Sequence, residues 1–437
     1  MLLALLAPSL LGLSLPWRSA VAPAGPAQAK QGLSQALETL AWPEDDATPD
    51  IVLLSVSQEH SSNLKELSSE AARTLGANLL IGVVGAGVIG GGRELEGEDS
   101  GISLLAGVLP EDTNVTPFVV GKESMPNWAS LIGDEEKSKP SFLLFADPFS
   151  PVSQVTSIIN SLAPGACVAG GLSCPTSEGA QSLAIAMRGA QCRTLPVGSV
   201  IGVNICGPRF RAHSLTAQGA APVGPSFLVT SGGGEGGNMV RELDGEPALS
   251  RLQEVAQTAD ERVIKLLQRS LLVGLDSRDA DATTTADDGF SDEPDYLIRQ
   301  VMGVDNDGSI YVGDTVEPGK TRLQFHVRDA VAANDELVLR LGRYKLERTM
   351  SGGYSTPPLG CLLFSCNGRG RNMYDDADHD STAIAEALGA PPTGGFFCNG
   401  EVGPIGVKGL STSGDAPTYL HGFTSVLALM YEVEPSE

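Results

Sequence analysis

Cys361-Leu362-Leu363-Phe364-Ser365-Cys366, the turn Asn367-Gly368-Arg369-Gly370, a helix-like run from Asp380 to Leu388, and Gly395-Phe396-Phe397-Cys398-Asn399-Gly400 form the stretch on which the fold turns. A near-continuous apolar run of this length, bounded by turn residues, is the pattern of a buried strand. Two other segments repeat it. Ile51-Val52-Leu53-Leu54-Ser55-Val56 leads through Leu64, Leu67, Ala71 and Leu75 to Leu79-Leu80-Ile81-Gly82-Val83-Val84-Gly85. Phe142-Leu143-Leu144-Phe145-Ala146-Asp147 leads through Val152, Val155, Ile158, Ile159 and Leu162 to Ala166-Cys167-Val168-Ala169-Gly170-Gly171. Apolar residues at helical spacing between two apolar strands predict three βαβ units. Each crossover is expected to be right-handed, which places both strand ends and their loops at one edge of the sheet, where open α/β sheets bind ligands; the loops so gathered are Ser57–His60, Ala146–Ser150, Ser365–Arg371 and the glycine turns after each second strand. The predicted class is α/β, with mixed α/β layers.

Between the second and third units, Arg251–Leu272 carries apolar residues at helical intervals and predicts one packed helix. Asp276–Asp295 is rich in Asp and Glu and reads as a solvated linker. Tyr296–Val301, Ser309–Val312 and Thr321–Val327 read as strands, separated by Asp305-Asn306-Asp307-Gly308 and Glu317-Pro318-Gly319-Lys320, which are turn chemistry.

Composition excludes several classes. The 437 residues carry a formal net charge of −24, which disfavours nucleic acid and anionic lipid as partners. Seven Cys with no Cys-x-x-Cys indicate neither a disulfide scaffold nor a zinc site. Met1–Pro16 is apolar and uncharged but too short for a stable membrane span. It is expected to be a targeting leader or an extension, with Ala27-Gln28-Ala29 resembling a cleavage site, and it leaves the compartment cytoplasmic or organellar, a plastid included.

Cofactor motifs fail on spacing. Gly85-Ala86-Gly87-Val88-Ile89-Gly90 matches the dinucleotide fingerprint, but no amphipathic helix can follow through Gly91, Gly92, Glu94, Glu96, Gly97 and Glu98. A tight glycine connection to Ile102–Val108 is expected instead. Gly313–Thr321 has one residue too many for a phosphate loop, and Asp305–Gly308 lacks the distal Glu of a calcium loop. The five His are scattered, and there is no Gly-x-Ser-x-Gly elbow. Neither metal nor cofactor is predicted.

Special residues instead concentrate near the C-terminus. Cys366, Asn367, Gly368, Arg369 and Gly370 follow one buried strand; Cys398, Asn399, Gly400, Glu401, Gly403 and Pro404 follow another; His421 and Gly422 precede a last apolar run. Glycines permit close backbone approach, while Asn367, Arg369, Asn399 and Glu401 supply donors and acceptors for a ligand, so these thirteen residues are the candidate binding set. Tight turns without a ligand explain the same residues.

CLLFSCNGRG, GFFCNGEVGPIG and LHGFTSVLALM resemble successive blocks of the C-terminal FIST domain, named for F-box and intracellular signal transduction proteins. DYLIRQVMGVDNDGSIYVGD with FHVRDA, and GNMVRELDGEPAL, resemble the passage joining its halves, and LLIGVVGAGVIGGGRELEGEDSGISLLAGVLP resembles the N-terminal FIST domain. The resemblance implies an N-terminal domain over 17–245, a helix and acidic linker over 246–295 and a C-terminal domain over 296–437, with 1–16 outside. It also implies that Trp17–Val21 is already a strand of the domain, so cleavage after Ala29 would remove part of the fold. The implied activity is sensing of a small polar ligand such as an amino acid or small carboxylate. Arg369 would take the carboxylate, Glu401 or Asn399 the amine or amide, and Cys366 would sit at the rim. The F-box relatives imply an alternative, a protein-recruiting module working through the acidic surface and Asp276–Asp295. A second alternative is an enzyme with Cys366 as nucleophile and His421 as base.

Overall fold

The computed structural model describes residues 15–43, 48–122, 124–132, 139–176, 180–276, 296–350, 357–405, 407–408 and 417–434. Most of the leader and of the acidic linker lie outside the described residues. All three expected βαβ units are present. Ile51–Ser57, Leu64–Leu75 and Leu79–Gly85 form the first; Ser141–Ala146, Val152–Leu162 and Cys167–Leu172 the second; Gly360–Cys366, His379–Leu388 and Thr393–Cys398 the third. Within each, the two strands pair in parallel, and every other strand pairing among the described residues is antiparallel.

Each unit is the centre of a larger module with one element order. A leading strand (Trp17–Pro23, Asn114–Val120 or Phe210–Gln218) is followed by a helix (Ala29–Leu40, Trp128–Ile132 or Ala330–Met350), the βαβ unit, a two-stranded hairpin and a closing strand (Gly101–Gly107, Val200–Cys206 or Thr424–Glu432). The closing strand lies antiparallel between the leading strand and the first βαβ strand.

The hairpins leave their own modules. The first module's Val88–Gly90 and Arg93–Leu95 extend the third sheet, with Val88 opposite Phe396. The second module's Leu183–Met187 and Arg193–Thr194 extend the first sheet, with Leu183 opposite Val83. The third module's Glu401–Pro404 and Thr418–His421 extend the second, with Glu401 opposite Gly171. The exchange is cyclic. Backbone bonds close the same ring: Ala86 N donates to Phe397 O at 3.0 Å, Cys174 N to Val84 O at 2.9 Å and Asn399 N to Leu172 O at 3.0 Å.

Apolar residues on the inner faces of the three sheets share one core, in which Leu53 and Ile81 meet Leu143 and Phe145, and these meet Phe364, Phe396 and Met430. Phe364 stands edge-on to Phe145 at 5.9 Å and to Phe396 at 5.7 Å. The alternate residues, Val52 and Leu54 in the first sheet and Leu363 and Phe397 in the third, pack under the helices outside. Burial of both faces is why these strands read as continuous apolar runs. Trp17 closes one end of the core: its indole lies against Gly107 and Gly360, leaving no room for a Cβ at either, and its Nε1 donates to Val108 O at 2.8 Å.

The third module is split by residues 220–328. The strands Ala220–Gly233, Arg322–Arg328, Leu271–Asp276, Leu297–Val304, Ile310–Val312 and Met239–Leu243 pair in that order, and the last pairs back to the first, closing a six-stranded antiparallel barrel around its own core. Closure removes exposed sheet edges.

The single helix expected over Arg251–Leu272 is corrected to two, Ala248–Thr258 and Glu261–Arg269, followed by a barrel strand from Leu271. Asp260 causes the break. Its extended backbone and a 2.8 Å bond from Val263 N to its carboxylate start a new helix. The Gly85–Gly90 run opens a hairpin with no helix behind it, and the separators at 305–308 and 317–320 are turns, with Gly308 and Gly319 at φ +84° and +81°.

Ile89 probes the exchange directly, because it belongs to the first module and is wholly buried under the helices of the third. Ile89→Ala should lower the unfolding free energy by about 2–5 kcal/mol. Amide exchange measured by mass spectrometry should rise together in peptides from Ile51–Ser57 and Gly360–Cys366; a rise confined to one of them would show that the modules open independently.

Candidate functional site

The turn after Gly360–Cys366 meets the barrel and the first module's hairpin loop, and the turn after Thr393–Cys398 meets the end of the second module's βαβ unit. Arg369 lies at its centre with 0% exposure. Its Nε and Nη2 donate to the two oxygens of Asp380 at 2.9 and 3.0 Å, and its guanidinium lies 5.5 Å from the Tyr374 ring centroid. Asp380 sits in the first turn of His379–Leu388, where the amide ends of a helix favour an anion. Ser365 and Ser425 also donate to it, and His379 Nδ1 is 3.0 Å from its other oxygen. Burial alone would raise the Asp380 carboxyl, but Arg369 and these bonds hold it well below the usual carboxylate range. Arg369 Nη1 remains buried with no hydrogen-bond partner.

Glu401, the first residue of the exchanged strand Glu401–Pro404, is also fully buried. Its Oε2 accepts from Thr424 Oγ1 at 2.9 Å and from Thr424 N at 3.3 Å, while Oε1 is buried without a partner. Thr424 thus holds Glu401, and its neighbour Ser425 holds Asp380. The two networks are one peptide unit apart. Burial pushes the Glu401 carboxyl up to about 8, against the opposing pull of the Thr424 bonds and the Arg369 and Arg328 charges.

The thiols are not activated. Burial, reinforced by Glu401, pushes Cys366 up to about 12; burial likewise raises Cys174 to about 12 and Cys398 well above its ordinary value. A neutral buried thiol is the opposite of a poised nucleophile. His421 Nε2 donates to Gly403 O at 2.9 Å. Among the described residues no group of three or more His, Cys, Asp or Glu is placed to hold a metal ion.

The remaining candidates form a lip. Asn399 is exposed, Asn367, Gly368 and Gly422 are half-buried, and Asn367 Nδ2 reaches Asn399 Oδ1 at 3.5 Å. Two of the glycines serve close packing: a Cβ on Gly368 would meet the Arg328 guanidinium, and one on Gly370 the Glu96 carboxylate. Gly400, at φ +145°, Gly403 and Pro404 are buried in the exchanged hairpin, while Gly422 faces open space.

Several contributors carry no sequence signature. Arg328, from the barrel, donates to Gly368 O and lies 5.8 Å from the Phe423 ring centroid, and its Nε is buried and unpartnered. From the first module, Glu96 accepts from Arg371 N at 2.7 Å, and Glu94 accepts from Ser381 N at 2.7 Å in the first turn of His379–Leu388. Burial first, and then Asp380, raises the Glu94 carboxyl to about 8.

Two predictions follow from these buried charges. Asp380→Ala leaves Arg369 charged and uncompensated, and chemical denaturation should show a loss of about 3–5 kcal/mol. Glu94 and Glu401 have folded pKa values above their ordinary 4.5, so the stability they confer is full below that value and is lost as pH rises through about 8. Buried His213 and His326, lowered to about 4, act oppositely, but only below their ordinary 6.5. The thermal midpoint should therefore fall from about pH 6.5 to about pH 8.5, and Glu401→Gln should flatten that slope; an unchanged slope would contradict the assignment.

Comparison with known proteins gives two family-model matches, the FIST N domain over residues 50–246 and the FIST C domain over 248–404. An uncharacterized protein found in two strains of Mycobacterium tuberculosis is 32% identical over 411 residues, covering 92% of this chain and 96% of its own. An uncharacterized protein of Mycobacterium bovis is 29% identical over 391 residues, covering 88% and 91%.

Proposed function

Because this chain belongs to the FIST family, whose domains are sensor domains of signal transduction, we propose that it is a non-enzymatic sensor taking a small polar ligand, an amino acid or small carboxylate, at the edge where the third module meets the barrel. One observation carries the reading. A donor, Arg369 Nη1, and an acceptor, Glu401 Oε1, are both buried without hydrogen-bond partners, and the Arg369 charge acts on the Glu401 carboxyl. Leaving such atoms unpaired costs about 1–3 kcal/mol each, more when charged, and a ligand presenting a carboxylate and an amine relieves both. The Asp380 pair uses Nε and Nη2, which leaves Nη1 as the guanidinium nitrogen that a guest would engage. Glu401, neutral below about pH 8, would lose its proton when an ammonium group arrives, because the nearby cation favours the carboxylate.

Entry would lie along Asn367, Gly368, Asn399, Gly422 and Phe423. Phe423 holds φ +66°, a left-handed conformation that costs a non-glycine residue roughly 1–3 kcal/mol. Opening the turn at Gly422 releases that strain. The fold also supports the location, since small-molecule sites favour boundaries between structural units.

The exposed apolar face of Ala330–Met350 favours a second reading, protein recruitment. Val331, Val338, Leu339, Leu346 and Met350 are all more than half exposed there. The two readings are compatible, with the edge as input and the helix as output. No helix among the described residues is long and apolar enough to cross a membrane.

Thermal-shift screening against amino acids and small carboxylates tests the first reading. A ligand at 100 times its Kd should stabilise by about 2.7 kcal/mol. Glu401→Gln, which keeps the shape, should abolish the shift for an amine-bearing ligand; no shift across the panel would sink the proposal.

A further inference from the structure

A second groove, sharing no residue with the strand-end site, runs between the helix Leu64–Leu75 and the second module's hairpin that crosses onto the first sheet. Its volume is about 570 Å³, within the range of small-molecule sites. Lys65, Ser69, Ala72, Arg73 and Gly76 line one wall and Met187 to Cys192 the other. The charges are one-sided. Lys65, Arg73 and Arg188 all face the groove, and no Asp or Glu does.

This is unusual for a chain of net charge −24, and the helix accounts for it. Lys65, Ser69 and Arg73 recur every four residues and so share a face. The helix's carboxylates turn the other way: Glu66 pairs with Lys30 at 2.7 Å, and Glu70 acts on the same lysine. None of the three groove cations has a carboxylate partner among the described residues. Arg188 Nη1 donates only to the neutral side-chain oxygen of Asn78, at 3.3 Å. The helix ends at Gly76, whose neighbouring carbonyls contribute roughly half a negative charge. Three full cations outweigh it.

The opposite wall is shaped for close approach. Ala190 N bonds to Met187 O in a tight turn, and Gly189, at φ +78°, has nothing within 4 Å of where a Cβ would stand. The Gln191 amide and the Ser69 hydroxyl add neutral donors. Two arginines present planar forks and the lysine a point charge, a set that matches the tetrahedral oxygens of phosphate better than a single carboxylate. We propose that this groove binds a small multivalent phosphate, the phosphate end of a phosphorylated metabolite or nucleotide, held by Lys65, Arg73 and Arg188.

Calorimetric titration of the full chain with pyrophosphate at low ionic strength is the test, with succinate as the dicarboxylate control. Saturable binding with one site per chain is expected. Because the three cations are exposed, the triple variant Lys65→Ala, Arg73→Ala, Arg188→Ala should keep its thermal midpoint while its affinity falls at least about 100-fold, at about tenfold per 1.4 kcal/mol lost. Cys192, half-buried in the same groove, gives a local readout. In a Cys206→Ser background, pyrophosphate should slow its alkylation by maleimide severalfold, and the triple variant should lose that protection. No heat with pyrophosphate, equal affinity for succinate, or undiminished binding by the triple variant would each overturn the proposal.

Discussion

A βαβ unit leaves the outer edge of its second strand unpaired, and in this molecule three such edges face one another around a common core. Unpaired edges invite association with other chains, so they must be covered. Each is covered by the hairpin of a different module, and the cyclic exchange makes the three sheets one object. Everything else depends on it. The shared core exists because the exchange holds three inner faces together, and in the first and third modules the hairpin follows directly on the second βαβ strand.

The three modules repeat a topology without repeating a site. In the second, Asp147 follows the first βαβ strand and its oxygens are taken by Ser182 Oγ and by Gly198 N and Phe149 N, so that loop is satisfied from within. In the third, the corresponding turn carries Arg369, which engages Asp380 with two nitrogens and leaves the third unpaired. The barrel interrupts this same module and delivers Arg328 to the turn. The FIST N and FIST C matches meet at residues 246–248, on the edge of the barrel, so the sequence boundary between the halves falls inside one structural unit.

Much of this was legible in the chain. The three βαβ units declared themselves because strands buried on both faces are apolar at every position, and their helices carry a 3.6-residue period. The barrel hairpins at 305–308 and 317–320 were equally plain from turn chemistry. The exchange left no trace: Val88-Ile89-Gly90 and Thr393–Cys398 pair across some three hundred residues through backbone groups common to every sequence. The helix break at Asp260 was written in a capping residue that the apolar period overrode. At the candidate site, Gly368, Arg369, Gly370 and Glu401 stood out in the sequence by their clustering, but Asp380, Glu96 and Arg328 reach these residues from other elements. No spacing rule joins residues brought together by tertiary structure.

The exchange also sets an order of events in synthesis. The first module's hairpin emerges about three hundred residues before its partner strand at Thr393–Cys398. At about 5–20 residues per second, that delay is roughly 15–60 s. For part of it the first sheet lacks the second module's hairpin, and throughout it Ile89 has no core to enter. Closure of the ring is therefore the last step, because only the final hundred residues complete it, and the long-range pairing makes that step slow. A chain stopped short of Thr393 would carry an unmatched apolar hairpin, a natural recognition mark for chaperones.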